Sequence, residues 1–495
     1  MICVSIGRGR HKHLMAEHRH LVEQGAQLVE LRLDYINRDV NIRRLTVDRP
    51  CPVIITCRRE CDGGRWTGTE EARQMMLRSA IAEGVDYVDL EEDVAGNIPR
   101  FGKTKRIVSM HNFRETPQNL EEIHARLAAL DADIVKVACM AHHPRDTLRM
   151  LRLIKNSKVP TVGVCMGDIG TPSRILAGKF GAPFSFATFH QERALAPGQL
   201  SFRQMTEIYH YDRINADTEI YGVVADPIGH SLSPLIHNVA FAHLKMNKAY
   251  VPFRVPREDL PTFIQDCREL GIKGLSVTIP HKETVLRHLG KIDGAVRGIG
   301  AANTIVFNGD ESFGYNTDYR SSMESIDKAV AEENDSKYPL SGKTALILGA
   351  GGVARALAYG LKRRNADVVI SSRTLERARE LAAKNDARAV EWDSRHAIKA
   401  DVLVNGTPIG MHPNVDETPY ECRHLRPSSI VFDTVYNPEQ TLLIKEARQQ
   451  GCKVITGVDM FVLQAAMQFQ LFTDHEAPVE LMRQEIKRAI GPAKY

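Results

Sequence analysis

A lysine set inside an apolar run, Ile134-Val135-Lys136-Val137-Ala138, is the first residue here whose type and setting could do chemistry. Among aliphatic neighbours its ammonium should be desolvated, which lowers the pKa and favours the neutral amine. A neutral amine is what Schiff-base formation with a ketone requires. The plain alternative is a lysine that snorkels from a strand edge. His111, just beyond the run Ile107–Met110, could take and return a proton, or be a satisfied structural histidine. Arg58 and Arg174 carry forked donors that suit a carboxylate, or a surface ion pair. Ser5, Glu30, Arg32, Asp89 and Glu91 also stand at or near the ends of apolar runs.

A second group of residues has a different chemistry. Gly349-Ala350-Gly351-Gly352-Val353 follows the run Thr344–Leu348 and leads into a helical stretch. Such a turn lets backbone N–H groups and a helix N-terminus approach a pyrophosphate. The next run ends in Ser372-Arg373-Thr374, with Arg377 close by. An NAD site would place Asp or Glu there; hydroxyls and arginines suit a 2′-phosphate, so NADP is expected. Ser231 and Ser233 stand two residues apart before a helical stretch, as a carboxylate-binding pair or an ordinary N-cap pair. Lys282 and Asp318 each follow a β run.

These residues need a scaffold. Eight β-rich runs occupy the first two hundred residues: Ile2–Ile6, Gln27–Leu33, Pro52–Cys57, Val85–Glu91, Arg106–Met110, Ile134–Cys139, Pro160–Cys165 and Pro183–Phe189. Helical spacing between them, as at His11–Gln24, Glu70–Ala82, Leu120–Ala129 and Arg145–Lys155, implies parallel strands joined by crossovers. Eight successive units predict a closed (β/α)₈ barrel, with an open doubly wound sheet as the alternative. Tyr209–Ala216 is polar and aperiodic and reads as a linker, and Ala331–Lys337 as a charged, solvated stretch. The expected fold is α/β throughout: a TIM barrel over 1–215, an α/β substrate domain over 219–330, a Rossmann domain over 331–458, and C-terminal helices over 459–495.

Composition narrows the class. The 495 residues are 43% hydrophobic and 25% charged, a profile of folded multidomain proteins. A net charge of +4 is too small and dispersed to argue for nucleic acid. No apolar run is long enough to cross a bilayer. Nine scattered cysteines point to a reducing compartment, and Cys57 and Cys61 have no second pair to complete a zinc site, so no metal is expected. The chain opens on a strand with no basic leader, from which a cytoplasmic protein is expected.

The motifs ELRLDY (Glu30–Tyr35), Arg58 with Asp62-Gly63-Gly64, MHN (Met110–Asn112), DIVKVA around Lys136, SRILAG (Ser173–Gly178) and APGQ (Ala196–Gln199) closely resemble type I 3-dehydroquinate dehydratase. The resemblance implies an imine between Lys136 and the substrate ketone. His111 would remove the α-proton and help water leave. Ser5, Glu30, Arg32, Arg58, Arg174 and Gln199 would orient the polyol carboxylate, with Asp89 or Glu91 supporting the histidine. Three positions depart from the pattern: Asn112 for Asp, Asp62 for Glu, and Leu195 for Ser or Thr.

From about residue 219 onward, HSLSP, VTIPHK, GAANT, GYNTD, GAGGVARA, SRTLER, NGTPIGM and GVDMFVLQAA resemble shikimate dehydrogenase. That resemblance implies Lys282 and Asp318 as the catalytic pair and NADPH as hydride source. Ser231 and Ser233 would hold the substrate carboxylate, and Thr278, Asn303, Asp318 and Gln464 the ring hydroxyls, with Tyr436 close by. Thr434 and Gly457 would face the nicotinamide. Ser276 and His281 stand where Asn and an aromatic are frequent. The order of the halves resembles the fused bifunctional enzyme of plants. Small molecules are the implied partners: 3-dehydroquinate, 3-dehydroshikimate and shikimate. A catabolic quinate/shikimate dehydrogenase is the enzymatic alternative. A catalytically silent metabolite sensor is the other, and the presence of His111, Lys136, Lys282 and Asp318 argues against it.

Overall fold

A computed structural model describes residues 1–229, 231–331 and 340–491. His230 of the HSLSP motif and all of the charged stretch beyond Ala331 lie outside the described residues. The chain divides into two compact units, Met1–Pro234 with Lys245–Gly271, and Leu235–Leu244 with Ile272–Tyr495.

In the first unit the eight expected runs are the strands β1 (Ile2–Ile6), β2 (Leu28–Arg32), β3 (Val53–Thr56), β4 (Tyr87–Glu91), β5 (Lys105–Asn112), β6 (Ile134–Met140), β7 (Thr161–Met166) and β8 (Ser185–Thr188). They pair in the order β7-β6-β5-β4-β3-β2-β1-β8, all parallel where paired, giving a nearly closed barrel with β7 and β8 at the ends of the ladder. Side chains alternate along each strand, so one parity points inward. That parity is apolar at the start of the strands: Cys3, Leu28, Ile54, Ile107, Ile134 and Val162 form one buried cluster with Phe184 and Phe186. Two residues further on it turns polar, at Ser5, Glu30, Thr56, Asp89, Ser109 and Lys136, all buried. The ionisable layer therefore sits on an apolar plug, at the C-terminal ends where barrels carry their sites.

The stretch expected as a linker packs instead. Tyr209 and Tyr211 are buried, and short turns at Gln204–Ile208 and Tyr211–Arg213 carry the chain along the barrel. Polar character on a hydropathy scale hid two large rings. Two further strands of this unit, β9 (Glu219–Ala225) and β10 (Lys248–Arg254), pair in parallel. The helix Leu260–Leu270 packs on the barrel helix Pro144–Asn156, where Arg145 meets Asp266 at 2.7 Å and Arg152 meets Glu269.

In the second unit β11 (Ile272–Val277) pairs antiparallel with β13 (Thr304–Asn308), and β13 with β14 (Glu311–Tyr315), which also pairs in parallel with the short β12 (Lys291–Ile292). A separate parallel sheet contains β15 (Thr344–Leu348), β16 (Asp367–Ser371), β17 (Arg388–Val390), β18 (Val402–Asn405), β19 (Ile430–Asp433) and β20 (Lys453–Ile455). Its order, β17-β16-β15-β18-β19-β20, is that of the Rossmann fold, with β15 at the topological switch point. Ala345, Ile347, Val368 and Ile370 face one core, and Leu346, Leu348 and Val369 the other. Burial on both faces is why these strands read as continuous apolar runs.

Candidate active site

In the barrel, Ser5, Glu30, Arg32, Arg58, His111, Lys136, Arg174 and Gln199 all line one cavity. Lys136 is not desolvated among aliphatic side chains as its flanking residues suggest. Val135 and Val137 point to the other face of β6, while Lys136 points inward, donating to Asp89 at 2.9 Å with Glu30 at 3.7 Å. The surroundings of the amine are two carboxylates and the face of Phe186, 4.2 Å from the ring centroid.

Those carboxylates belong to a buried network. Glu30 accepts from Ser5 (2.5 Å) and Thr56 (2.8 Å). Asp89 accepts from Ser109 (2.6 Å) and meets Arg58 at 2.8 Å. Burial would raise the Asp89 pKa, but Arg58 and Lys136 hold it well below the usual carboxylate range. Burial would lower the Arg58 pKa, and Asp89, Glu91 and Glu30 reverse that to above its ordinary value. Glu91 in turn bridges Arg58 (2.6 Å) and the fully buried Arg73 (2.6 Å) from the helix Glu70–Ala82. Arg32 is occupied by Asp34 at 2.7 Å.

Arg174 differs. It is fully buried, its Nε has no hydrogen-bond partner among the described residues, and Nη2 donates to Pro197 O at 3.2 Å. Burial pushes its pKa down to about 10. A buried, uncompensated guanidinium facing a cavity is a receptor for a carboxylate. The sequence offers Arg58 and Arg174 alike for that role; among the described residues Arg58 is held by carboxylates and Arg174 is not.

His111 is also available. Its Nδ1 is buried with no hydrogen-bond partner among the described residues. Burial, then Arg58 and Lys136, hold its pKa well below the usual histidine value, so the ring is neutral and can accept a proton. Phe113 stacks on it at 6.4 Å and 17°. A Cβ on Gly63, where φ is +77°, would stand 2.2 Å from Phe113 Cζ, so the loop after β3 needs glycine there. Each departure from the family pattern has a local setting. Asn112 accepts from the N–H groups of Arg114 and Glu115, Asp62 pairs with Arg59 at 2.7 Å, and Leu195 presents an apolar side chain to the cavity. Gln199 Oε1 accepts from Leu195 and Ala196 N–H, which ties its loop together. Sequence reasoning missed Thr56, Ser109, Arg73 and Phe113. The inward parity of Thr56 and Ser109 was the one available signal.

In the second unit Lys282 Nζ lies 2.6 Å from Asp318 Oδ2. Lys282 follows β11 in a turn held by Ala302 N–H to Lys282 O (2.8 Å) and His281 N–H to Thr278 O (2.8 Å). Asp318 is in the first turn of the helix Thr317–Ala331. Asn303 Oδ1 accepts from Thr317 N–H (2.7 Å), and its Nδ2 donates to Thr317 Oγ1 (2.9 Å) and reaches Gln464 at 3.5 Å. Gln464 donates to Phe461 O, and Tyr436 stacks on Phe461 at 4.5 Å. Thr278, Lys282, Asn303, Asp318, Gln464 and Tyr436 thus belong to one contiguous set. Ser276 donates to Gln468 (2.7 Å), whose Nε2 reaches Asn303 O and Thr304, so the serine serves a network the sequence did not reveal. Ser231 and Ser233 belong to the first unit, where the Ser233 N–H donates to Ser231 Oγ at 3.4 Å and Ser233 opens the helix Ser233–His243.

The Rossmann half has a seat for a dinucleotide. Gly349 has φ +106°, and a Cβ there would stand 2.8 Å from Gly406 O. Ala350 and Gly351 lead to the helix Gly352–Lys362, whose N-cap Gly351 supplies no side chain to its N–H groups; a Cβ on Gly351 would meet nothing within 4 Å. Val353 is in its first turn. Past β16, Ser372 accepts from Thr374 N–H, while Arg373 and Arg377 are exposed and, among the described residues, make no ion pair. Cations free of carboxylates fit a 2′-phosphate. Thr434 donates to Asn405 O from both N and Oγ1, and a Cβ on Gly457 would lie 2.1 Å from Val435 O. No three His, Cys, Asp or Glu side chains among the described residues are grouped to hold a metal ion. No helix among them is long and apolar enough to cross a membrane.

Fold and site together define a barrel lyase with a buried lysine, followed by a Rossmann dehydrogenase. Residues 2–216 match the type I 3-dehydroquinase family. Residues 223–305 match the shikimate dehydrogenase substrate binding domain, and 457–487 the shikimate 5′-dehydrogenase C-terminal domain. Residues 343–436 match the coenzyme F420-dependent NADP oxidoreductase family. A chloroplastic bifunctional 3-dehydroquinate dehydratase/shikimate dehydrogenase of Arabidopsis thaliana is 38% identical over 97% of this chain and 83% of its own length. An NADP⁺ shikimate dehydrogenase of Methanopyrus kandleri is 41% identical over 55% of this chain and 96% of its own. A shikimate dehydrogenase crystallised with NADP⁺ superposes with a TM-score of 0.52 at 35% identity, covering 56% of this chain and 98% of that one. The chain belongs to the family of bifunctional 3-dehydroquinate dehydratase/shikimate dehydrogenases.

Proposed function

We propose how this lyase and NADP-dependent oxidoreductase of the shikimate pathway divides its chemistry among its residues. In the barrel over 1–215, Arg174 receives the carboxylate of 3-dehydroquinate, and Lys136, having given up its extra proton to solvent, attacks the ketone as the neutral amine and, with loss of water, forms an imine. Asp89 and Glu30 hold the lysine Nζ in line. The imine draws electrons from the adjacent carbon, and neutral His111 takes the proton released there. His111 then returns a proton to the departing hydroxyl, and hydrolysis frees 3-dehydroshikimate and Lys136. Ser5, Glu30, Arg32, Arg58 and Gln199 line the pocket around the polyol.

In the dehydrogenase over 219–495, Ser231 and Ser233 hold the carboxylate of 3-dehydroshikimate, and Thr278, Asn303, Gln464 and Tyr436 surround the ring. Lys282, paired with Asp318, gives a proton to the carbonyl oxygen as it becomes the alcohol of shikimate. NADPH, when bound, supplies the hydride. Gly349, Ala350, Gly351, Gly352 and Val353 would hold its pyrophosphate, Ser372, Arg373, Thr374 and Arg377 its 2′-phosphate, and Thr434 and Gly457 would lie at the nicotinamide. We place the substrate domain at 219–330, the Rossmann domain at 331–458 and the C-terminal helices at 459–495. Nine unpaired thiols suit a reducing compartment, which supports a cytoplasmic location.

The observation that carries the first half is a single cavity shared by Lys136, neutral His111 and uncompensated Arg174. Borohydride added with 3-dehydroquinate should leave a reduced, covalent adduct on the peptide containing Lys136; an unmodified peptide would sink the imine.

A further inference from the structure

The first turn of the helix Gly352–Lys362 has two neighbours. Its N-terminal end is the seat for the cofactor pyrophosphate, while its flank lies against the turn that bears Lys282. A Cβ on Gly352 would stand 3.0 Å from Lys282 Cδ and within 4 Å of Cβ and Cγ, so the lysine stem lies against the glycine backbone. One residue along, Glu283 meets Arg355 at 3.2 Å. Arg355 is buried, and its Nε has no hydrogen bond of good geometry. Among the described residues Glu283 is the one carboxylate within ion-pair distance of it.

Lysine has four rotatable bonds and holds a fixed position only where its surroundings impose one. Here the backbone of Gly352 borders the stem, Asp318 takes the head, and the Arg355–Glu283 pair clamps the next residue to the cofactor helix. If the clamp is lost, the Glu283 carboxylate is released beside Lys282, where it competes with Asp318 for the ammonium.

We propose that Arg355 is a positioning residue for the reduction: through Glu283 it fixes the Lys282 turn against the cofactor-binding helix, so that proton and hydride reach the same carbonyl. The inference rests on the role given to Lys282. Misplacing a catalytic group by a fraction of an ångström lowers turnover without removing binding.

The test uses the full chain. Arg355→Met should lower kcat for 3-dehydroshikimate reduction about tenfold, with KM and the NADPH dissociation constant, from a binding titration, changed less than about threefold. Arg355→Lys should restore most of the turnover. Glu283→Gln alone should also lower kcat, and the double variant Arg355→Met/Glu283→Gln should lose less than the product of the two single losses. The retained NADPH dissociation constant reports that the half bearing Arg355 is folded, since the dehydratase barrel belongs to the other compact unit. Parental kcat in Arg355→Met would overturn the proposal. So would multiplicative losses in the double variant, or a fall in NADPH affinity as large as the fall in kcat. If Arg355→Met does not fold, Glu283→Gln decides, and unchanged turnover in it overturns the proposal. Retained turnover in Lys282→Ala would instead reject the underlying role of the lysine.

Discussion

Arg58 and Arg174 face the same cavity, but Arg58 is met by Asp89 at 2.8 Å and Glu91 at 2.6 Å, while among the described residues Arg174 is met by the Pro197 carbonyl and by no carboxylate. Two arginines that are equivalent on paper are therefore unequal. A charge-assisted hydrogen bond contributes about 1.5–3 kcal/mol, and Arg174 is the guanidinium with capacity left to make one. Arg174→Ala should raise the KM for 3-dehydroquinate by about 10- to 100-fold, measured in a steady-state dehydratase assay. A KM within twofold of the parent would place the carboxylate elsewhere.

His111 sets the acid side of the dehydratase profile. Burial, Arg58 and Lys136 all favour its neutral form, so the ring keeps its ability to accept a proton below the ordinary histidine pKa of about 6.5. The acid limb of kcat/KM should fall below that value. The sign for stability follows from the same depression. Below about pH 6.5 the unfolded chain takes up a proton at this histidine that the folded chain refuses, so this contribution to stability is lost as the pH falls. Titration of labelled histidine by NMR checks both, and a His111 midpoint at or above 6.5 contradicts them.

Arg373 and Arg377 stand exposed past β16 and, among the described residues, form no ion pair. Replacing both with alanine should raise the KM for NADPH by about 10- to 100-fold while leaving that for NADH nearly unchanged. An equal rise for both cofactors would mean that the arginines support the fold rather than read the 2′-phosphate.

Much of this was legible in the residues. The barrel strands stood out because inward positions are apolar at one end and ionisable two residues later, as in Leu28-Val29-Glu30 and Ile134-Val135-Lys136. The Rossmann strands did so because both their faces are buried. Pairing was not legible. Lys136 looks desolvated from its own strand, and its carboxylate partner Asp89 comes from 47 residues away. Arg73 reads as one more charge on a helix until β4 brings Glu91 to it at 2.6 Å. The three-residue β17 carries no run long enough to detect, and the tyrosines at 209 and 211 bury rings that hydropathy counts as polar.

The most direct measurement of the whole account is a coupled assay on one polypeptide, supplying 3-dehydroquinate and NADPH and following shikimate. The intact chain should produce shikimate. Lys136→Ala should make none from 3-dehydroquinate yet still reduce added 3-dehydroshikimate, and Lys282→Ala should accumulate 3-dehydroshikimate with little NADPH consumed. Shikimate formed from 3-dehydroquinate by Lys136→Ala, or at the parental rate by Lys282→Ala, would contradict it.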